Sequence, residues 1–254
     1  MIRFENVTKR LGRRNVLDGF DLEIKAGETF VICGPSGMGK SVTLKHMVRL
    51  LTPDSGHVWV GDDCVSEARG KELERIRARF GVLFQSGALL EWLTAGENVG
   101  LPLREHTDKG DEEIDTLARE KLRMVELEDA FDKHPSDLSG GMRKRVALAR
   151  AIITEPEIVL YDEPTSGLDP VTSRTIDELI DNLRKQLGIT SVVVTHDLHS
   201  ALAIGNRIAM LNYGKAVEVS APEEFMKSTN SVVRGFLEAQ YITRRGAWEK
   251  GLKV

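Results

Sequence analysis

The sequence predicts an α/β domain. Short apolar runs alternate with helix-period segments along the chain, and one glycine-rich loop lies between such a run and a helix. The chain has 254 residues, ample for a buried core. With 41% hydrophobic and 29% charged residues, its composition is that of a soluble globular protein, not a disordered one. The 35 Lys and Arg against 39 Asp and Glu leave a net charge of −4, which argues against nucleic acid as a partner. Cys33 and Cys64 form no CxxC pair, so neither a disulfide framework nor a zinc site is expected, and a reducing, cytoplasmic compartment fits. No apolar run approaches the ~18–20 residues that cross a bilayer. The opening MIRFENVTKR has charges where a signal peptide needs apolar residues, so the expected chain is not itself membrane-spanning.

The elements follow in order. Thr29–Cys33 (TFVIC) reads as a buried strand, ended by GPSGMG and followed by a helix from about 40 to 51. Strands are expected at 57–60 and 80–84. Ile114, Leu117, Leu122 and Val125 recur on one face of a helix over about 114–128. Residues 105–129 carry ten acidic and four basic side chains, either a solvated helical face or the surface of a separate lobe. Strands at 157–161, 190–195 and 207–211 are separated by helices at about 170–187 and 197–204. Val232, Val233, Phe236 and Leu237 give 231–239 the spacing of a short amphipathic helix.

Gly34-Pro35-Ser36-Gly37-Met38-Gly39-Lys40-Ser41 fits G-x-x-x-x-G-K-[ST] between strand and helix. Glycines let backbone N–H groups converge on phosphate, and the following helix adds its positive N-terminal end. Lys40 would reach the β- and γ-phosphates, and the Ser41 hydroxyl would ligate Mg²⁺. Asp162 and Glu163 end an apolar run, where open α/β sheets put their ligand sites. Asp162 is expected to hold Mg²⁺, and Glu163 to polarise the attacking water. Ser139, Gly140 and Gly141 open another helix, a second anion-binding N-terminus, with Arg143, Lys144 and Arg145 placed in its last turns. His196 closes the TSVVVT strand near the carboxylates; His199 has no such place.

Leu138-Ser-Gly-Gly-Met142 followed by RKRVALARAI resembles the signature of ATP-binding cassette (ABC) ATPases, and no NKxD guanine-reading motif occurs. Gln85, Ser166-Gly-Leu-Asp169 and His196 fall where that family has its Q-loop, D-loop and switch histidine. The resemblance covers about residues 4–220. It implies a RecA-like P-loop core with an N-terminal antiparallel β subdomain and an inserted helical signature subdomain at about 86–153. The ATPase domain would then be 1–220, and 221–254 a C-terminal helix and extension. It also implies an ATPase with ATP and Mg²⁺ as cofactors, ATP lying on Gly34–Val42 and Mg²⁺ on Ser41, Gln85 and Asp162. Glu163, His196 and Gln85 would serve catalysis. Two copies would pack head to tail as a homodimer, Ser139, Gly140 and Gly141 acting in trans and Asp169 standing in the D-loop. Where many members stack an aromatic on adenine this chain has Leu11, with Arg13 and Arg14 as alternative stacking partners. Met142 replaces the common Gln.

FQSGALL, PLREHT and LSGGM are similar to the ATPase subunit of the Mla and Mce-associated phospholipid transporters. That resemblance implies an integral membrane permease, a lipid-binding Mce-type protein, a small cytoplasmic regulatory subunit, and a place on the cytoplasmic face of the inner membrane. Ala88, Leu89, Leu90, Trp92 and Leu93 form an apolar cluster, either core or a groove for a permease helix, and Leu90 and Trp92 are the expected contacts. Another cargo, such as an amino acid or a metal, is the alternative. Action on ribosomes or DNA is disfavoured by a single cassette with only 98 residues between Lys40 and Ser139. Tyr241, Ile242, Trp248 and Leu252, in a basic tail, are expected to pack on the second copy.

Overall fold

The computed structural model describes residues 1–240. β1 (Ile2–Leu11) and β2 (Arg14–Ile24) form an antiparallel hairpin. β3 (Thr29–Cys33) leads through the glycine loop into α1 (Lys40–Met47). β4 (Ser55–Val60), β5 (Asp63–Cys64), α2 (Gly70–Arg77) and β6 (Phe80–Leu83) follow. A helical stretch holds α3 (Ala95–His106), α4 (Asp111–Met124), two 3₁₀ turns and α5 (Gly140–Ile152). β7 (Ile158–Asp162), α6 (Pro170–Leu187), β8 (Thr190–Thr195), α7 (Leu198–Ile204) and β9 (Arg207–Asn212) come next. β10 (Lys215–Ser220), α8 (Pro222–Met226) and α9 (Ser231–Ala239) complete the described chain.

The strands make two sheets. A small antiparallel one runs β2-β1-β4-β5, and a six-stranded one runs β10-β9-β3-β8-β7-β6, parallel except for β10. The expected β subdomain and RecA-like core are both present. β3 and β8 are buried end to end, which is why TFVIC and TSVVVT carry no charged side chain. Alternation along β3 then divides the core. Phe30 and Ile32 pack with α1, α2 and the small sheet, whereas Val31 and Cys33 pack with the helices of the insertion, α6, α7 and α9. The insertion therefore has no core of its own. α4 buries Ile114, Ala118 and Leu122 in the shared core and keeps its acidic side chains outside.

Several boundaries differ from expectation. The helix from Lys40 ends at Met47, because Arg49 takes a left-handed conformation (φ 50°) that closes it. The helix expected over 114–128 ends at Met124 for the same reason, with Glu126 at φ 55°. α3 was not anticipated, since two glycines and Pro102 disfavour a helix. It starts on a capping box, the Thr94 hydroxyl accepting from Glu97 N and Glu97 accepting from Thr94 N. Its glycines are needed for packing: a Cβ on Gly100 would lie 2.7 Å from Ile114 Cγ2. The expected 231–239 helix is present and buries Val233 and Leu237. The tail from Tyr241 to Val254, with the dimer contact expected of it, lies outside the described residues. Among the described residues no helix is long and apolar enough to cross a membrane.

Candidate active site

Parallel register assembles the site. Cys33 pairs with Thr195 and Asp162 with Val194, so the C-terminal ends of β3, β8 and β7 lie side by side. The segments leaving them carry the glycine loop, His196 and Glu163. Within the loop Gly37 and Gly39 have φ 78° and 105°, and a Cβ on Gly39 would lie 2.6 Å from Val16 O, so only glycine fits. Lys40 Nζ donates to Gly34 O (2.8 Å) and Pro35 O (3.2 Å). The Ser41 hydroxyl donates to Asp162 Oδ1 at 2.8 Å. Burial raises the Asp162 carboxyl above its ordinary range, opposed by the Ser41 hydrogen bond.

Glu163 is 9% exposed and holds a left-handed backbone (φ 49°), with its N–H donating to Val194 O at 2.8 Å. Its Oε1 lies 3.7 Å from Lys40 Nζ. Its Oε2 accepts from His196 N (3.3 Å) and meets His196 Nδ1 at 2.8 Å. With Glu163 ionised, Nδ1 is the protonated nitrogen of that pair. Gln85 is exposed, and its amide donates to Ser166 Oγ at 3.4 Å. Among the described residues no hydrogen bond ties Gln85 to Ser41 or Asp162.

A residue to which the sequence assigned no place at the carboxylates joins these parts. Lys144 is buried, and its ammonium donates to the carbonyls of Gln85 and Glu163 (3.3 Å to the latter), joining the loops that follow β6 and β7. Burial lowers its pKa, while Asp162 and Glu163 oppose the shift. Arg143, Lys144 and Arg145 were expected in the last turns of their helix. They stand near its start, because α5 begins at Gly140. Lys144 shares a face with buried Gly141, Leu148 and Ala151, a three-and-four spacing that marks it as inward-facing.

Ser139 caps α5, its hydroxyl accepting from Met142 N at 3.2 Å. A Cβ on Gly141 would lie 2.5 Å from Thr172 Cγ2, so that glycine lets α5 and α6 touch. Asp169 caps α6 by accepting from Val171 N and Thr172 N, and the Thr172 hydroxyl holds its carboxyl below the usual range. α1 packs on one face of the large sheet and α5 on the other. A groove of about 930 Å³ between α6 and α7 opens beside His196. Trp92 is 74% exposed, whereas Leu90 is half-buried, with its N–H and C=O both bonded by the Asn98 side chain. His199 is exposed, as expected.

Residues 17–166 match the family described as ABC transporter. The chain is 40% identical over 98% of its length to the probable ribonucleotide transport ATP-binding protein mkl of Mycobacterium tuberculosis, covering 69% of that protein. It is 36% identical over 94% of its length to the intermembrane phospholipid transport system ATP-binding protein MlaF of Haemophilus influenzae, covering 91% of it. Its fold matches the dimeric post-hydrolysis structure of the ATP-binding cassette MJ0796, bound to ADP and Pi, with a TM-score of 0.80 and 38% identity over 87% of this chain and 99% of that one.

Proposed function

The chain belongs to the ABC transporter family, as an ATP-hydrolysing subunit, and from that premise we propose that it drives phospholipid transport between bacterial inner and outer membranes through a separate permease. One observation carries the cargo. Similarity to the Haemophilus phospholipid protein runs nearly end to end on both chains, whereas the mycobacterial relative is appreciably longer. The segment from Phe84 to Thr107, which carries no nucleotide motif beyond the Q-loop Gln85, adds the FQSGALL and PLREHT phrases.

The chemistry follows from the site. ATP phosphates lie on Gly34–Val42, with Lys40 turning its ammonium from loop carbonyls to phosphate oxygens. The Ser41 hydroxyl and Asp162 carboxylate, already in contact, are hard oxygen donors, and a cation would relieve the desolvation that raises Asp162. They fit Mg²⁺, which when bound neutralises phosphate charge; Gln85 would join them on leaving Ser166. Glu163 takes the proton of the attacking water, and His196 fixes the carboxylate that does so. Ser139–Gly141 and Asp169 of a second copy close over the nucleotide. Leu90 and Trp92 meet the permease at the cytoplasmic face of the inner membrane, with a Mce-type lipid-binding protein beyond it.

A polar cargo is the second reading, supported by the name of the mycobacterial relative. Tagged purification from membranes, with mass spectrometry of partners and extracted lipid, separates the two. A permease carrying phospholipid is the expected result. A permease with polar cargo and no lipid would overturn the lipid reading.

A further inference from the structure

Leu11, at the place where the family resemblance led us to expect an aromatic, is an aliphatic side chain 44% exposed at the end of β1. An aromatic does stand beside the phosphate loop, from another element. The β9–β10 hairpin turns at Tyr213-Gly214, and Tyr213 is 67% exposed. Both residues have positive φ, 45° and 75°, the pair a type I′ turn requires. Asn or Gly normally fills the first of these places, and a tyrosine there carries backbone strain.

The turn is fixed to the phosphate loop. Tyr213 N donates to the Met38 sulfur at 3.4 Å, and Arg14 Nη2 lies 3.7 Å from the same sulfur. Asp18 N donates to Gly214 O at 3.1 Å, tying the turn to β2. The Arg14 guanidinium sits 5.4 Å from the Tyr213 ring centroid, which braces the ring by a cation–π contact. A ring so exposed, with a cation on one side, has area left for a second flat partner. A nucleotide whose phosphates fill the 34–42 loop must send its base out past the loop, and Met38 is the loop residue whose sulfur reaches the Tyr213 backbone N–H.

We propose that Tyr213, braced by Arg14, is the platform on which the nucleobase of ATP stacks, in place of an aromatic at position 11. The inference rests on the reading that the phosphates sit on the 34–42 loop. Stacking reads a π-face and no hydrogen-bond pattern, so GTP should bind nearly as well as ATP.

The test is the affinity of the full chain, by calorimetry, for ATP and for inorganic tripolyphosphate, which keeps the charge and lacks the base. Tyr213→Ala should weaken ATP binding about tenfold and leave tripolyphosphate unchanged, as expected for the loss of one base–aromatic stack. Tyr213→Phe should stay within about twofold of the parent. Tyr213→Trp should give an indole emission change with ATP and none with tripolyphosphate. ATP affinity unchanged in Tyr213→Ala would overturn the platform. So would an equal loss for both ligands, which would mean that Tyr213 acts only through Met38 and the loop. Lys40→Ala should weaken both ligands. Parental affinity for both in that variant would overturn the phosphate-loop reading and the platform with it.

Discussion

At Glu163 three constraints meet in one residue: a left-handed backbone, near-complete burial, and a carboxylate shared between Lys40 and His196. Glutamine keeps the size and an accepting oxygen but cannot take a proton. Glu163→Gln should lower phosphate release by about a hundredfold or more while ATP affinity changes little. Turnover near the parental rate would remove Glu163 as the base. Asp177, on α6, makes a different case. Its Oδ2 accepts from Ser200 Oγ of α7 at 2.7 Å, its buried Oδ1 has no partner among the described residues, and burial pushes the carboxyl from 3.8 to about 6. The folded value lies above the unfolded one. The favourable contribution is therefore complete below about pH 4 and is lost as pH rises through 6. Asp177→Asn should therefore gain roughly 2 kcal/mol over the parent at pH 8 and less at pH 5 in urea titrations. An equal difference at both pH values would show that titration is not the cause.

At the scale of elements, the segment between β6 and α3 is held from below and bare above. Arg150 donates to Gly87 O and Ala88 O, and Asn98 grips Leu90. Trp92, in contrast, projects into solvent. The two residues expected to meet a permease should therefore respond differently. Trp92→Glu should keep its melting temperature and ATP affinity while losing permease on pull-down from membranes. Leu90→Glu should also lower stability, because half of that side chain is buried. Retention of permease by Trp92→Glu would place the contact elsewhere.

At the scale of the whole molecule, the phosphate-loop helix and the signature helix lie on opposite faces of one sheet. The open end of α5, capped by Ser139, is thus presented by a different layer from the loop ending at Lys40. Glu163→Gln with ATP and Mg²⁺ should sediment as a dimer. Adding Ser139→Glu puts a carboxylate where a phosphate would meet the helix N-terminus, and should return it to monomer with ATP still bound. Dimers of the double variant in light scattering would show that the signature does not form the joint.

What the sequence by itself determined is the chemistry whose spacing is local. The glycine loop between TFVIC and Lys40, the Asp162-Glu163 strand end and the Ser139 cap are each set by sterics and hydrogen bonds within a few residues. Such constraints leave a pattern that can be read from neighbours alone. The order of the parallel strands lies outside that range, and it decides which ends adjoin. The end of the TSVVVT strand already set His196 near the carboxylates; only the tertiary structure gave it the direct Glu163 contact, buried Lys144 under Gln85 and Glu163, made a helix of the glycine-bearing Ala95–His106 segment, and set Tyr213 beside Met38. These contacts join residues up to 175 positions apart. They arise from the burial of two apolar layers on one sheet, and burial is non-directional. It leaves in the sequence the face a residue must turn inward, but not the partner it will meet there.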